Sequence, residues 1–248
     1  MHADTRPWRL LVSLTGLVLM GSMALVPSAG AQVALGYGMD ETSGTTMVGS
    51  GGAPNGKISG DVTLGAPGVS GTGYAFNQNV HSCSNSNTVV TGTGSVTIPA
   101  SSVFNVGTQP FSFSVWLQTT AIPGADSGKT ADCDFDVWRR AGRWKLELVP
   151  KANNTYGGPK CAWTGVLNGK ATRVALSAGV NVTDGSWHHV TCSRTSSGEQ
   201  LIVDGSVKAS SSVNVGTIST NATIFVATQQ AGVDYYEGRL DDLSFSVG

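Results

Sequence analysis

Charge is what this sequence has least of. Asp, Glu, Lys and Arg make up 12% of its 248 residues, about half the roughly 25% of an average domain. Its 15 cationic and 16 anionic side chains nearly cancel, leaving a net charge of −1. Phosphate binding needs clustered Lys and Arg, so this balance argues against a nucleic-acid partner. Long helical patterns are missing as well, while glycine is abundant at 33 residues. Short runs of Val, Thr and aromatic residues between Gly-rich turns predict an all-β fold. Cysteines in close pairs are also lacking: Cys83, Cys133, Cys161 and Cys192 do not have the two-to-four-residue spacing of a zinc site. A Gly-x-Ser-x-Gly nucleophile motif is absent too.

The N-terminal stretch carries the other kind of information. Arg6 and Arg9 precede an apolar run from Leu10 to Val26, closed by Pro27 and the small residues Ala29-Gly30-Ala31. Basic, apolar and small-residue segments in that order predict a secretory signal peptide over 1–31 and a mature domain over 32–248. The expected location is extracellular, with no membrane span in the mature chain. In an oxidising compartment an even set of cysteines predicts two disulfides. Four cysteines allow three pairings, and spacing does not choose among them.

Within the mature chain the clearest element is 184–205. Trp187, His189 and Thr191 alternate with His188, Val190 and Cys192; a Ser-Ser-Gly turn intervenes; Leu201-Ile202-Val203 then ends in Asp204-Gly205. Alternation on both sides of a turn reads as a β-hairpin, and Asp-Gly supplies the positive φ angles of a tight turn. Residues 109–117 form a second regular strand, with Phe111, Phe113, Val115 and Leu117 on one face. Trp116 falls on the opposite face, as a second layer of core or as a sugar platform. Residues 143–149 alternate Arg143, Lys145 and Glu147 against Trp144, Leu146 and Leu148, which predicts a half-exposed strand. About a dozen such strands fill the mature chain, and their spacing predicts a two-sheet antiparallel sandwich in one domain.

Four stretches in order resemble the laminin-G-like domains of the concanavalin A-like lectin/glucanase superfamily. They are Tyr37-Gly38-Met39-Asp40-Glu41-Thr42-Ser43-Gly44, then Phe111-Ser112-Phe113-Ser114-Val115-Trp116-Leu117, then Trp187-His188-His189-Val190 with Val203-Asp204-Gly205, and finally Glu237-Gly238-Arg239-Leu240-Asp241-Asp242-Leu243. The resemblance implies a jelly roll of two curved antiparallel sheets that binds glycans or other extracellular ligands. It further implies a Cys161–Cys192 disulfide, which leaves Cys83 for Cys133. A structural calcium ion is the cofactor it allows, with Asp241 and Asp40, and Glu41 beside them, as the ligands.

Catalysis in the superfamily's glucanases implies a Glu-x-Asp-x-x-Glu strand, because a retaining mechanism needs two carboxyls about 5 Å apart. This sequence has no such stretch. The nearest substitute is Asp132-Cys133-Asp134-Phe135-Asp136, which reads as a calcium or catalytic face or as an exposed segment neutralised by Arg139 and Arg140. Those arginines, with Arg143 and Lys145, read as a solvated turn and outer face rather than as a ligand patch. His188 and His189 point to opposite faces of one strand, so they cannot both ligate one metal, and the resemblance makes them structural. The functional expectation is a secreted, non-catalytic module whose partner is an extracellular glycan or a surface protein. Trp138, Trp163, Tyr156, Tyr235 and Tyr236 are its candidate ligand-binding aromatics, although several must belong to the core. A glycan hydrolase or lyase of the same fold, and a self-associating wall or matrix scaffold, are the alternatives.

Overall fold

A computed structural model describes residues 33–77, 93–124, 134–153, 155–230 and 234–248. The segment read as a signal peptide lies outside them, as do Asp132, Cys83 and Cys133. Among the described residues no helix is long and apolar enough to cross a membrane.

Two antiparallel sheets form a sandwich, as alternation and turn spacing predicted. The first sheet is built from β1 (Val33–Tyr37), β4 (Val62–Pro67), β5 (Thr72–Phe76), β7 (Phe111–Gln118), β12 (His188–Thr195), β13 (Gly198–Val203), β14 (Ser206–Ser211) and β16 (Gly238–Val247). Its order is β14-β13-β12-β7-β16-β5-β4, with β1 also paired to β16. The second contains β2 (Thr46–Met47), β3 (Gly56–Ser59), β6 (Ser95–Ile98), β8 (Phe135–Arg140), β9 (Trp144–Lys151), β10 (Tyr156–Leu167), β11 (Lys170–Ser177) and β15 (Ile224–Val226). Its order is β11-β10-β9-β8-β15-β6-β3-β2.

The core lies between the sheets, and β7 is at its centre. Phe111, Phe113, Val115 and Leu117 are all buried, as the period-2 pattern requires when one face of a strand is covered. Opposite them, Trp138 of β8, Trp144 of β9 and Trp163 of β10 converge on the Phe113 ring, with centroids 5.9, 4.5 and 6.4 Å away. Each aromatic side chain buries a large apolar area, and the tilted and edge-on contacts add to it. The Cys161–Cys192 disulfide, Cα atoms 5.7 Å apart, joins β10 to β12 and so ties one sheet to the other.

The hairpin forms in the expected register. Val190 pairs with Val203 and Cys192 with Leu201, and Asp204 and Gly205 both have positive φ, at 50° and 74°. His188 and His189 do face opposite ways. His189 stacks on Trp116 on the outer face, with ring centroids 4.9 Å apart. His188 sits between two carboxylates, its Nδ1 2.8 Å from Asp204 Oδ2 and its Nε2 3.1 Å from Asp184 Oδ1. Burial alone would lower the pKa of His188, but the hydrogen bonds and charges of Asp204 and Asp184 overrule it and raise it.

A raised histidine stabilises the fold below its usual value near 6.5, and that contribution disappears as pH rises through the higher folded-state value. The pair is partly exposed, so the contribution is about 0.5–1 kcal/mol. His188→Gln is therefore expected to lower Tm at pH 5.5 by about 1–4 °C, with the gap to wild type closing above neutrality. Thermal melts of both proteins across pH 5.5–9 measure this; a gap independent of pH contradicts the assignment.

Candidate functional site

The outer face of the second sheet gathers side chains that the sequence scatters. Residues directly opposite in an antiparallel ladder share a face. One row therefore runs Lys57, Thr97, Phe225, Arg139, Lys145, Ala162 and Ala175 across β3, β6, β15, β8, β9, β10 and β11. The next row pairs Thr164 of β10 with Arg173 of β11, and the Thr164 amide donates to the Arg143 carbonyl. Ala162 and Thr164 are short, while Arg143, Lys145 and Arg173 beside them are long. Neighbouring strands lie only about 4.8 Å apart, so the long side chains stand as walls over a small-residue floor.

The result is a groove of about 250 Å³ lined by Arg139, Arg143, Lys145, Ala162, Thr164, Arg173 and Gln229, with Arg140, Gly142 and Trp144 completing it. Arg143 donates from Nε to the Ser219 carbonyl at 2.8 Å and from Nη1 to the Gly142 carbonyl at 3.0 Å, which fixes its orientation and leaves Nη2. Half-buried Phe225 is the next residue in the row beyond Arg139.

Beneath one side of the groove lies an acidic cluster. Asp134, Asp136 and Glu147 are buried, at 5%, 0% and 0% exposure. Asp136 and Glu147 are paired residues on β8 and β9, and Glu147 pairs in turn with Lys160 on β10. Lys145 covers the cluster. Its ammonium contacts Glu147, lies 3.3 Å from Asp134 and 3.7 Å from Asp136, while Lys160 reaches Glu147 at 2.7 Å and Arg139 reaches Asp136 at 3.2 Å.

Burial, then the hydrogen bond and charge of Glu147, push Asp134 well above the usual carboxylate range. Burial would raise Glu147 too, but the hydrogen bond from Asp134 and the charge of Lys145 bring it down, so Glu147 holds the negative charge of that pair. Asp136 rises to about 6 through burial, offset by Lys145 and Arg139. Oxygens of Asp134, Asp136 and Asp234 lie within 4.8 Å of one another. The cluster faces its own lysines, so it forms the charged foundation of the groove.

A family model described as the concanavalin A-like lectin/glucanases superfamily matches residues 90–246. The chain belongs to this superfamily. Solved structures share the fold at low identity. Domain 4 of AbnA, a GH43 extracellular arabinanase from Geobacillus stearothermophilus in complex with arabinotriose, is 16% identical, with 88% of this chain and 92% of that one covered and a TM-score of 0.55. The binding domain of Paraclostridial Mosquitocidal Protein 1 is 16% identical, with coverage of 86% and 48% and a TM-score of 0.58. The Trypanosoma rangeli sialidase in complex with 2,3-difluorosialic acid is 12% identical, with coverage of 88% and 31% and a TM-score of 0.51. Among curated proteins none matches.

In this superfamily member most of the aromatics expected to bind ligand are structural. Trp138, Trp163 and Tyr236 are 0% exposed and Tyr235 is 7% exposed, so none of them presents a ring face to a sugar. For Trp138 the cause is a β-bulge: Asp136 pairs with Glu147 but Trp138 pairs with Leu146, and Val137 is the extra residue. Strict alternation would put Trp138 beside Asp136 on the outer face; the bulge turns it inward. The same shift turns Arg140 inward. Its guanidinium contacts the carbonyls of Phe104, Ser101, Thr220 and Ala222, so it ties loops together and does not neutralise the Asp134 and Asp136 segment; Lys145 and Arg139 do that. Tyr156 stays half-buried, its hydroxyl donating to the Gly179 carbonyl at 3.0 Å, and it does not line the groove. Phe225 and Arg173 were missed, because only strand pairing brings them to this face.

The carboxylates implied as calcium ligands serve a turn. Asp241 is fully buried; its Oδ2 accepts from the amides of Val69 and Ser70 at 2.8 and 3.3 Å, and its Oδ1 accepts from the amide of Asp242 at 2.9 Å. Asp40 Oδ1 accepts from the Thr72 amide at 3.2 Å, and Glu41 accepts from the Val48 amide at 2.7 Å and from the Tyr74 hydroxyl. A Cβ on Gly68 would lie 2.5 Å from Asp241 Oδ2, so the grip depends on glycine there. Calcium needs six to eight oxygens converging on one point, whereas both oxygens of Asp241, both of Glu41 and Oδ1 of Asp40 face N–H or O–H donors. The set fits an anchor for the 68–72 turn and does not fit the implied calcium cage.

Proposed function

We propose that this chain is a secreted, non-catalytic module that binds extracellular carbohydrate in the groove of the second sheet. The observation that carries the reading is the groove itself: a small-residue floor, fixed polar side chains with unused donors on the walls, and a half-buried phenylalanine beside it. Sugars are bound by such combinations, because hydroxyls need convergent hydrogen-bonding groups and the apolar face of a sugar ring packs on an aromatic side chain. The fold shared with an arabinanase domain solved with arabinotriose and with the binding domain of a mosquitocidal protein supports the reading. Asp134, Asp136 and Glu147 do not serve as an acid and nucleophile pair here, since they are buried and covered by Lys145.

The test is binding of the mature chain to neutral and acidic polysaccharides by affinity electrophoresis and titration calorimetry, with calcium and with EDTA. At least one polysaccharide is expected to bind, equally in both conditions. Thr164→Trp, which fills the groove from an outer-face position, is expected to weaken that binding by at least about tenfold, equivalent to ~1.4 kcal/mol, with Tm unchanged. A panel without a single binder, or a Thr164→Trp protein that binds as wild type does, overturns the proposal. Binding abolished by EDTA would contradict the reading of Asp241, Asp40 and Glu41 as a turn anchor that holds no calcium.

A further inference from the structure

We infer that the saccharide taken by this groove is acidic, bearing carboxylate or sulfate groups that Arg143 and Arg173 engage. The inference rests on the carbohydrate-binding reading above and names its ligand class. The first observation is the sign of the groove. Among the described residues lining it, Arg139, Arg140, Arg143, Lys145 and Arg173 are cationic and none is acidic, in a chain whose 15 cations are outnumbered by 16 anions. Such segregation focuses a positive potential in a concave site even when the whole chain is nearly neutral.

The second observation is how those charges are compensated. Arg139 and Lys145 are held by the buried carboxylates, and Arg140 by loop carbonyls. Among the described residues Arg143 and Arg173 have no carboxylate partner. Arg143 is nonetheless oriented by two carbonyls, so an anion arriving at the groove meets a donor already in place, which limits the entropy lost on binding. Arg173 stands on the opposite wall, two strands away, so the Cα atoms of the two arginines lie roughly 10 Å apart at strand spacing. That distance suits acidic groups carried at intervals along one polymer. A neutral glycan would desolvate both guanidinium groups without supplying an opposite charge, which is unfavourable.

The experiment compares matched polymers on the mature chain: polygalacturonate against its methyl ester, and dextran sulfate against dextran, with neutral arabinan and a single-stranded oligonucleotide alongside. At least one acidic polymer is expected to bind at least about tenfold tighter than its neutral counterpart; the carboxylate and sulfate arms show which group is recognised. Arg143→Gln and Arg173→Gln are each expected to weaken acidic binding by about tenfold at unchanged Tm, and to reduce its dependence on salt. Neutral polymers binding as tightly as acidic ones would overturn this inference and leave the carbohydrate-binding reading standing. Failure of every glycan would overturn both. An oligonucleotide bound as tightly as the acidic glycan would reduce the groove to a non-specific basic patch, and acidic binding unchanged by both substitutions would place the acidic ligand outside the groove; either result overturns the inference.

Discussion

Lys145→Ala is expected to destabilise the chain by about 3–5 kcal/mol at pH 7, the range for removing one partner from a buried charge cluster. Lys145 is the only residue that touches Asp134, Asp136 and Glu147 together among the described residues. Without it Glu147 keeps Lys160 and Asp136 keeps Arg139, but the carboxylates lose the ammonium that covers them all. The loss should shrink in acid. Asp136 has a folded-state value of about 6, above its ordinary 3.8, so it is protonated in the folded chain first, and Asp134, raised further, is neutral earlier still. Removing a positive charge from those two neutral carboxyls costs little, while Glu147, brought down by Asp134 and Lys145, stays charged and keeps part of the loss. Urea unfolding of wild type and Lys145→Ala at pH 7 and pH 4 should show a large difference that narrows toward pH 4. A difference below about 1 kcal/mol at pH 7, the worth of an exposed ion pair, would mean that water compensates the cluster and that Lys145 merely rests on it.

Removing the Cys161–Cys192 bridge is the second large effect. The residues are 31 apart in sequence, and the chain-entropy estimate for a loop of that length is about 3–4 kcal/mol. The double substitution Cys161→Ala, Cys192→Ala is preferable to reduction, because it leaves any other disulfide intact. It should lower the urea midpoint by the corresponding amount. It should also loosen β10, the strand carrying Ala162 and Thr164, relative to β12 in the other sheet. Glycan binding measured well below the melting temperature should survive, since the groove is built within one sheet. A double variant as stable as wild type would show that packing of the three tryptophans on Phe113 already holds the sheets together.

The parts of this fold legible in the sequence are those fixed by local chemistry. β7, the β12–β13 hairpin and the Asp204-Gly205 turn follow from alternation and from residues suited to positive φ, and all three are found as expected. The Cys161–Cys192 pairing came from the family resemblance, since spacing alone left three pairings open. What escaped the sequence depends on register and on pairing between distant strands. A single extra residue, Val137, sends Trp138 and Arg140 into the core and Arg139 outward. Nothing in 134–140 announces that bulge. Phe225 and Arg139 are far apart in the chain and become neighbours only because β15 pairs with β8. The alternating Arg143, Lys145 and Glu147 were recognisable as an outer face, but that Glu147 would be buried there required knowing that Asp136 and Lys160 flank it. The groove is thus a property of one sheet's strand order, and few of its parts are visible one segment at a time.

The most direct test of the central claim is hydrogen exchange of residues 32–248 with and without the tightest-binding polysaccharide found. The account predicts that protection is gained in peptides covering 139–145, 162–165 and 171–175, with 224–229 beside them, and that the outer face of the other sheet around Trp116 and His189 is unchanged. Protection confined to Trp116 and His189, or to the 68–72 turn, would place the ligand elsewhere and contradict the assignment of the groove.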